Sequence, residues 1–148
     1  MSLIVTENVS AVSFNNVALN KTIMEDTLKA VADAGIIVDM ISMTSPTSEI
    51  FSFGFTLNDD DMPKLLGVAK QLREKDGVTP MINSCNRKIV IKTAEMEKST
   101  GVAAKVLSIL NGIDAMILQI TTGVDEISVL VRESDGEAAE AALRGAFE

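Results

Sequence analysis

The 148-residue sequence carries one structural pattern twice, and this repeat limits what the chain can fold into. In the stretch Gly101 to Val131, Val102, Val106, Ile109 and Leu110 recur at helical spacing and give one apolar helical face. Asn111, Gly112 and Asp114 supply the stop signals, since glycine and short polar residues tolerate the left-handed backbone of a helix C-terminus. Ile117 to Ile120 and Ile127 to Val131 are rich in β-branched residues and read as two strands, with Thr122 to Asp125 turning between them. At constant spacing upstream, Thr22 stands opposite Gly101, Ile23 opposite Val102, Leu28 opposite Leu107, Val31 opposite Leu110 and Ile41 opposite Ile120. Gly35 falls opposite Asp114, and Glu49-Ile50 matches Glu126-Ile127 after a slightly longer hairpin loop. The chain therefore reads as a tandem duplication in which each copy is one small domain.

Taken in order, Leu3–Thr6 reads as a short strand, interrupted at Glu7-Asn8, and Val9–Phe14 as a second. A polar loop, Asn15–Lys21, leads to a helix from about Thr22 to Ala34, closed by Gly35. Ile36–Met43 and Glu49–Leu57 follow as strands around a turn containing Pro46. Phe51, Phe53 and Phe55 alternate along the second of these, so one of its faces is buried. The acidic run Asn58-Asp59-Asp60-Asp61 reads as a helix start, where carboxylates favour the positive end of the dipole, in preference to a metal site. The helix after it ends at Gly77, and Thr79–Asn83 is the next strand. The first copy is thus β-α-β-β-α-β, the split βαβ arrangement of ferredoxin-like folds. In the second copy Arg87–Thr93 is a strand, Ala94–Thr100 a loop, and a last helix opens at Asp135. That copy lacks a fourth strand while the first has one to spare. Because an open sheet edge is a liability, Leu3–Thr6 is expected to cross over beside Arg87–Thr93 and complete it. The expected class is α+β, with domains at 8–84 and at 87–148 plus strand 3–6.

Composition narrows the function. Hydrophobic residues make up 47% and aromatics 3%, which suits thin aliphatic sheets covered by helices better than an aromatic binding platform. A net charge of −8 opposes nucleic-acid phosphates and anionic membrane surfaces, so neither partner is expected. No apolar run approaches the ~20 residues that span a bilayer, and the N-terminus lacks the basic start and apolar block of a secretion signal. A single cysteine, Cys85, forms no internal disulfide and fits a reducing cytoplasm. Without histidine the chain lacks the commonest general base and metal ligand, and no glycine-rich phosphate loop is present. No catalytic residue, metal or cofactor is expected. The loops Asn15–Lys21 and Ala94–Thr100 draw attention instead, since each delivers free backbone N–H groups at a helix start, which favours a carboxylate ligand.

Thr100-Gly101-Val102-Ala103-Ala104-Lys105-Val106, followed by Glu126-Ile127-Ser128-Val129-Leu130-Val131, resembles the second ACT domain of aspartate kinases. Ala32 to Ile41 is similar to the matching stretch of the first ACT domain, and Ala141 to Phe147 to the closing helix. The resemblance covers essentially the whole chain in order. It implies a regulatory region that binds an end-product amino acid, lysine or threonine, and controls phosphorylation of aspartate by a kinase domain. It also implies pairing of ACT domains between chains, hence a homodimer, and completion of the second domain by a strand from before the first. The family's Pro-Gly before the first helix is Lys21-Thr22 here, and its acidic residue in the first loop is Leu19.

An amino-acid ligand needs donors for its carboxylate and acceptors for its ammonium. In the first copy the N–H groups of Thr22, Ile23 and Met24 are expected to hold the carboxylate, with Asn20 beside them. Asp39, matching the family's VDMI motif, is expected to take the ammonium, and Thr44 to add a hydroxyl. Ser99, Thr100, Gly101 and Val102 form the equivalent turn of the second copy, where Leu118 replaces the acidic residue and makes it a wall of a shared site. A stand-alone tandem ACT protein that senses an amino acid for some other partner is the alternative, and an in-frame upstream kinase would separate the two. A small acylphosphatase-like enzyme is disfavoured because neither loop contains Arg. A purely structural dimerisation module is the remaining reading.

Overall fold

The computed structural model describes residues 1–19 and 22–148. Its elements are β1 (Ser2–Ala18), α1 (Ile23–Asp33), β2 (Ile41–Met43), β3 (Ile50–Asn58), α2 (Met62–Asp76), β4 (Met81–Lys92), α3 (Val102–Gly112), β5 (Ile117–Thr122), β6 (Glu126–Arg132) and α4 (Glu133–Phe147), with 3-10 turns at Asp59–Asp61 and Ala94–Glu97. The chain divides into two compact units, Val9–Ser84 and Met1–Asn8 with Cys85–Glu148.

In the unit Val9–Ser84 the strand order is β2, β3, β1 and then the start of β4. β1 and β3 run antiparallel with Val12 opposite Phe55 and Phe14 opposite Phe53. The alternating Phe51, Phe53 and Phe55 all face the core with Val12, Phe14, Ile23, Val31, Leu65 and Leu72. Phe14 and Phe53 stack at 4.8 Å between centroids, a geometry worth about 1 kcal/mol beyond area burial.

In the other unit the order is the start of β1, then β4, β6 and β5. β4 and β6 are antiparallel with Ile89 opposite Val129 and Ile91 opposite Ile127. Their inward side chains pack with Val102, Val106 and Leu110 of α3 and with Ala139, Leu143 and Phe147 of α4. Leu3 belongs to the same core.

The repeat is visible in how two helices end. At α1, Gly35 takes φ 79, its N–H donates to the Ala32 carbonyl, and the Ile36 N–H donates to that of Val31. At α3, Asp114 takes φ 55, its N–H donates to the Asn111 carbonyl, and the Ala115 N–H donates to that of Leu110. Both are Schellman endings, one with glycine and one with aspartate in the left-handed position.

Several strands depart from the sequence reading. β1 runs unbroken through Glu7-Asn8, and β4 joins the expected strands Thr79–Asn83 and Arg87–Thr93 into one. Asn8 and Cys85 take φ 58 and φ 61, so each long strand absorbs its polar interruption as a local left-handed residue and continues. Residues 36–43 give only the short β2; ahead of it the Ile36 N–H closes the helix ending, and Asp39 and Met40 bond the backbone of Thr56. The last helix opens at Glu133, ahead of Asp135.

Candidate effector site

Helix α1 begins at Ile23, with Thr22 as an exposed N-cap whose side chain makes no capping bond. The Thr22 carbonyl accepts the N–H of Asp26 at 2.7 Å, closing the first turn. Ile23 is buried in the core and Met24 packs against it, so any ligand meets their backbone N–H groups and not the side-chain tips. Glu25 and Asp26 occupy this first turn. Their carboxylates answer the helix dipole internally and repel a ligand carboxylate at the same end. Asn20 lies outside the described residues. Asp39 is exposed, and its N–H donates to the Thr56 carbonyl at 3.0 Å. The Thr44 hydroxyl is engaged by β3: it accepts the Ser52 N–H at 3.0 Å and lies 3.4 Å from the Ser52 carbonyl.

Helix α3 starts differently. Gly101 is its N-cap with φ 88, no side chain caps the helix, and no acidic residue stands in the first turn. Ser99 and Thr100 are exposed ahead of it, and the Ser99 N–H is bonded back to the Glu95 carbonyl at 2.7 Å. Val102 is buried and fixes the turn against the core through its side chain. No heavy atom lies within 4 Å of where a Gly101 Cβ would stand, so the turn is open on that side. Its N–H groups are available to an anion, and no carboxylate within the helix's own first turn offsets the positive end of the dipole. The one cation of the first turn, Lys105, points away: Nζ sits 4.5 Å from the Phe147 ring centroid and 3.4 Å from the Ala146 carbonyl. The structure thus gathers Ser99, Thr100, Gly101 and Val102 into one turn, and Thr22, Ile23 and Met24 into another. Among the described residues no group of carboxylates or Cys is placed to hold a metal ion.

The sequence reading missed a charged cluster at Arg87. This residue is 5% exposed, and its Nη2 lies 2.6 Å from Glu133 and 2.8 Å from Glu7. Nη1 lies 3.1 Å from Glu140, whose other oxygen bonds Arg144. Burial works to lower the pKa of Arg87, but the Glu133 bond and the charges of Glu133, Glu7 and Glu140 outweigh it, and the net shift is upward. Arg87 Nε has no hydrogen-bond partner and faces Gly136, where a Cβ would stand 2.8 Å away. The signal was present in the sequence, since Arg87 shares the parity of Ile89 and Ile91 on the core face of β4. In the other unit Ser10 takes the matching place, opposite Leu57 on β3 as Arg87 is opposite Val131 on β6. Ser10 bonds Asp59, at the start of the following helical turn, and Ser84. The matching position is therefore filled once by a hydroxyl that bonds a carboxylate and a second hydroxyl, and once by a guanidinium among three carboxylates.

Residues 89–147 match the family model described as the ACT domain. No curated protein matches the sequence at a significant level. Among solved structures, the ligand-free regulatory subunit of aspartate kinase from Thermus thermophilus matches with TM-score 0.90 and 23% identity, over 99% of this chain and 97% of that one. A structure of aspartokinase alpha and beta subunits matches with TM-score 0.87 and 27% identity, over 99% and 97%. The regulatory subunit of aspartate kinase from Thermus flavus matches with TM-score 0.89 and 23% identity, over 100% and 98%. Residues 89–147 thus match the ACT-domain model, and the chain as a whole shares its fold with the regulatory subunits of aspartate kinase.

Proposed function

We propose that this chain is the amino-acid-sensing regulatory region of an aspartate kinase, made of two ferredoxin-like ACT domains in tandem. The first spans 8–84, and the second spans 87–148 and takes its fourth strand from residues 3–6. The observation that carries this reading is the likeness along nearly the full length of both chains to aspartokinase alpha and beta subunits at 27% identity. The effector is a free amino acid, lysine or threonine, and its binding controls a kinase domain that phosphorylates aspartate in the cytoplasm. The open start of α3 favours Ser99, Thr100, Gly101 and Val102 as the carboxylate-holding turn of the second domain. In the first domain the corresponding group is Asn20, Thr22, Ile23 and Met24, with Asp39 as ammonium acceptor and Thr44 beside it. There Glu25 and Asp26 oppose the carboxylate, so that site is the weaker. Pairing into a homodimer is supported by exposed apolar side chains at the outer strand β2 and its neighbour, Ile41 at 46% and Met43 at 51% among them.

A thermal-shift screen of the twenty amino acids tests the reading. An effector at a hundredfold its Kd stabilises the folded chain by about 2.7 kcal/mol. Lysine or threonine is expected to raise the transition, and a flat response to all twenty sinks the proposal.

A further inference from the structure

A line of contacts inside one unit, carried between them by the backbone of α4, joins the open turn of α3 to the first strand. It begins at Gly101, whose carbonyl accepts the Lys105 N–H at 2.9 Å, so Lys105 closes the turn. The Lys105 side chain then holds the far end of α4 through the Phe147 ring and the Ala146 carbonyl. From there Arg144 bridges Glu148 at 2.9 Å and Glu140 at 3.1 Å, and Glu140 bonds Arg87. Arg87 ends the line at Glu7, on β1.

Two features set how a movement of α4 would pass along this line. Helix α4 is 15 residues long and packs along α3 through Ala139, Leu143 and Phe147, so its two ends move as one body. Arg87, in turn, lies so close to Gly136 that there is no room for a Cβ between them, which leaves it no free space on the α4 side. Its Nη2 is shared by Glu133, from α4, and Glu7, from β1. Glu7 is the more exposed of the two, at 60% against 46%, and has the longer bond, so a shift of α4 is taken up by gain or loss of Glu7.

We infer that Lys105, α4 and Arg87 form a relay that couples occupation of the α3 turn to how firmly residues 2–7 are held. The ligand half of this inference rests on the effector reading above; the relay itself is a property of the ligand-free chain. By linkage, whatever occupation of the turn does to the strand, release of the strand does to occupation.

Hydrogen–deuterium exchange of the amides of residues 2–7 in the full chain tests it. Without ligand, Glu7→Gln is expected to speed exchange there, and so is Lys105→Met, at the other end of the line. Both are surface changes that leave the core intact. The double variant is expected to fall well short of the product of the two effects, because both break one path; fully multiplicative effects, or no effect of Lys105→Met, overturn the relay. With lysine or threonine added at saturation, exchange of residues 2–7 is expected to change by at least about fivefold, and Lys105→Met to abolish that change. A bound amino acid that leaves residues 2–7 unaffected, or acts equally in Lys105→Met, also overturns it. If neither amino acid binds, the effector reading fails and the ligand-free comparison still decides the relay.

Discussion

Gly136→Ala tests the geometry of the Arg87 node against an opposing and well-known gain. Alanine in a helix interior is favoured over glycine by about 1 kcal/mol, which taken alone predicts a more stable protein. At Gly136, however, the new Cβ would stand 2.8 Å from Arg87 Nε, 3.0 Å from Cδ and 3.2 Å from Cζ. Ordinary contacts begin near ~3.5 Å, so the arginine must move by roughly half an ångström or more. Overpacking of this kind costs about 1–3 kcal/mol, and stretching one charge-assisted bond adds about 1.5–3 kcal/mol. The clash therefore outweighs the helix gain, and Gly136→Ala is expected to lose about 2 kcal/mol. Gly67 in α2 and Gly145 in α4 are the controls, since nothing lies within 4 Å of a Cβ at either. Gly67→Ala should gain up to about 1 kcal/mol, and Gly145→Ala less, because it sits at the fraying end. Urea unfolding with unchanged m-values reads all three differences. Gly136→Ala as stable as Gly67→Ala would refute the packing argument.

Other outcomes follow from single sites. Asp114→Gly places glycine in the left-handed position that Gly35 fills in the other unit, and should raise stability by about 0.5–1 kcal/mol in the same urea assay. The Asp135 carboxyl is held below its ordinary pKa, chiefly by the Met116 N–H at 3.0 Å, with Arg132 adding to it against the opposing effect of burial. Its contribution is complete above the ordinary carboxylate range and is lost as pH falls through the depressed value. Wild type should therefore exceed Asp135→Asn in Tm at pH 7, with the gap closing in strong acid. Arg87→Ala removes the cation and leaves Glu7, Glu133 and Glu140 facing one another; because all three are partly exposed and can rehydrate, the change is expected to cost about 1–3 kcal/mol by thermal or urea unfolding.

Helix positions were legible in the sequence because periodicity and stop residues agree: Ile23–Asp33 and Val102–Gly112 keep the spacing seen between Thr22 and Gly101. The phenylalanines of β3 were legible for the same reason, with alternation pointing them to one face. The long strands were not, because Glu7-Asn8 and Ser84 to Asn86 look like breaks, and only a left-handed residue at Asn8 and Cys85 carries each strand through. The Arg87 node was hidden by its parts, which lie far apart in sequence on β1, β4 and α4. At the candidate site the sequence pointed to both helix starts, but their difference depends on which residues fall in the first turn. Glu25 and Asp26 fall inside it in α1, while the acidic Glu95 and Glu97 precede α3 in a separate 3-10 turn.

Calorimetric titration of lysine and threonine into wild type, Gly101→Val and Asp39→Ala tests the account most directly. Valine at φ 88 forces the α3 turn to change shape, so the reading predicts binding to wild type and at least about a tenfold loss in Gly101→Val, equivalent to about 1.4 kcal/mol. Asp39→Ala should leave that stronger site in place. Affinity that is unchanged in Gly101→Val and abolished in Asp39→Ala would contradict the assignment of the effector to the start of α3.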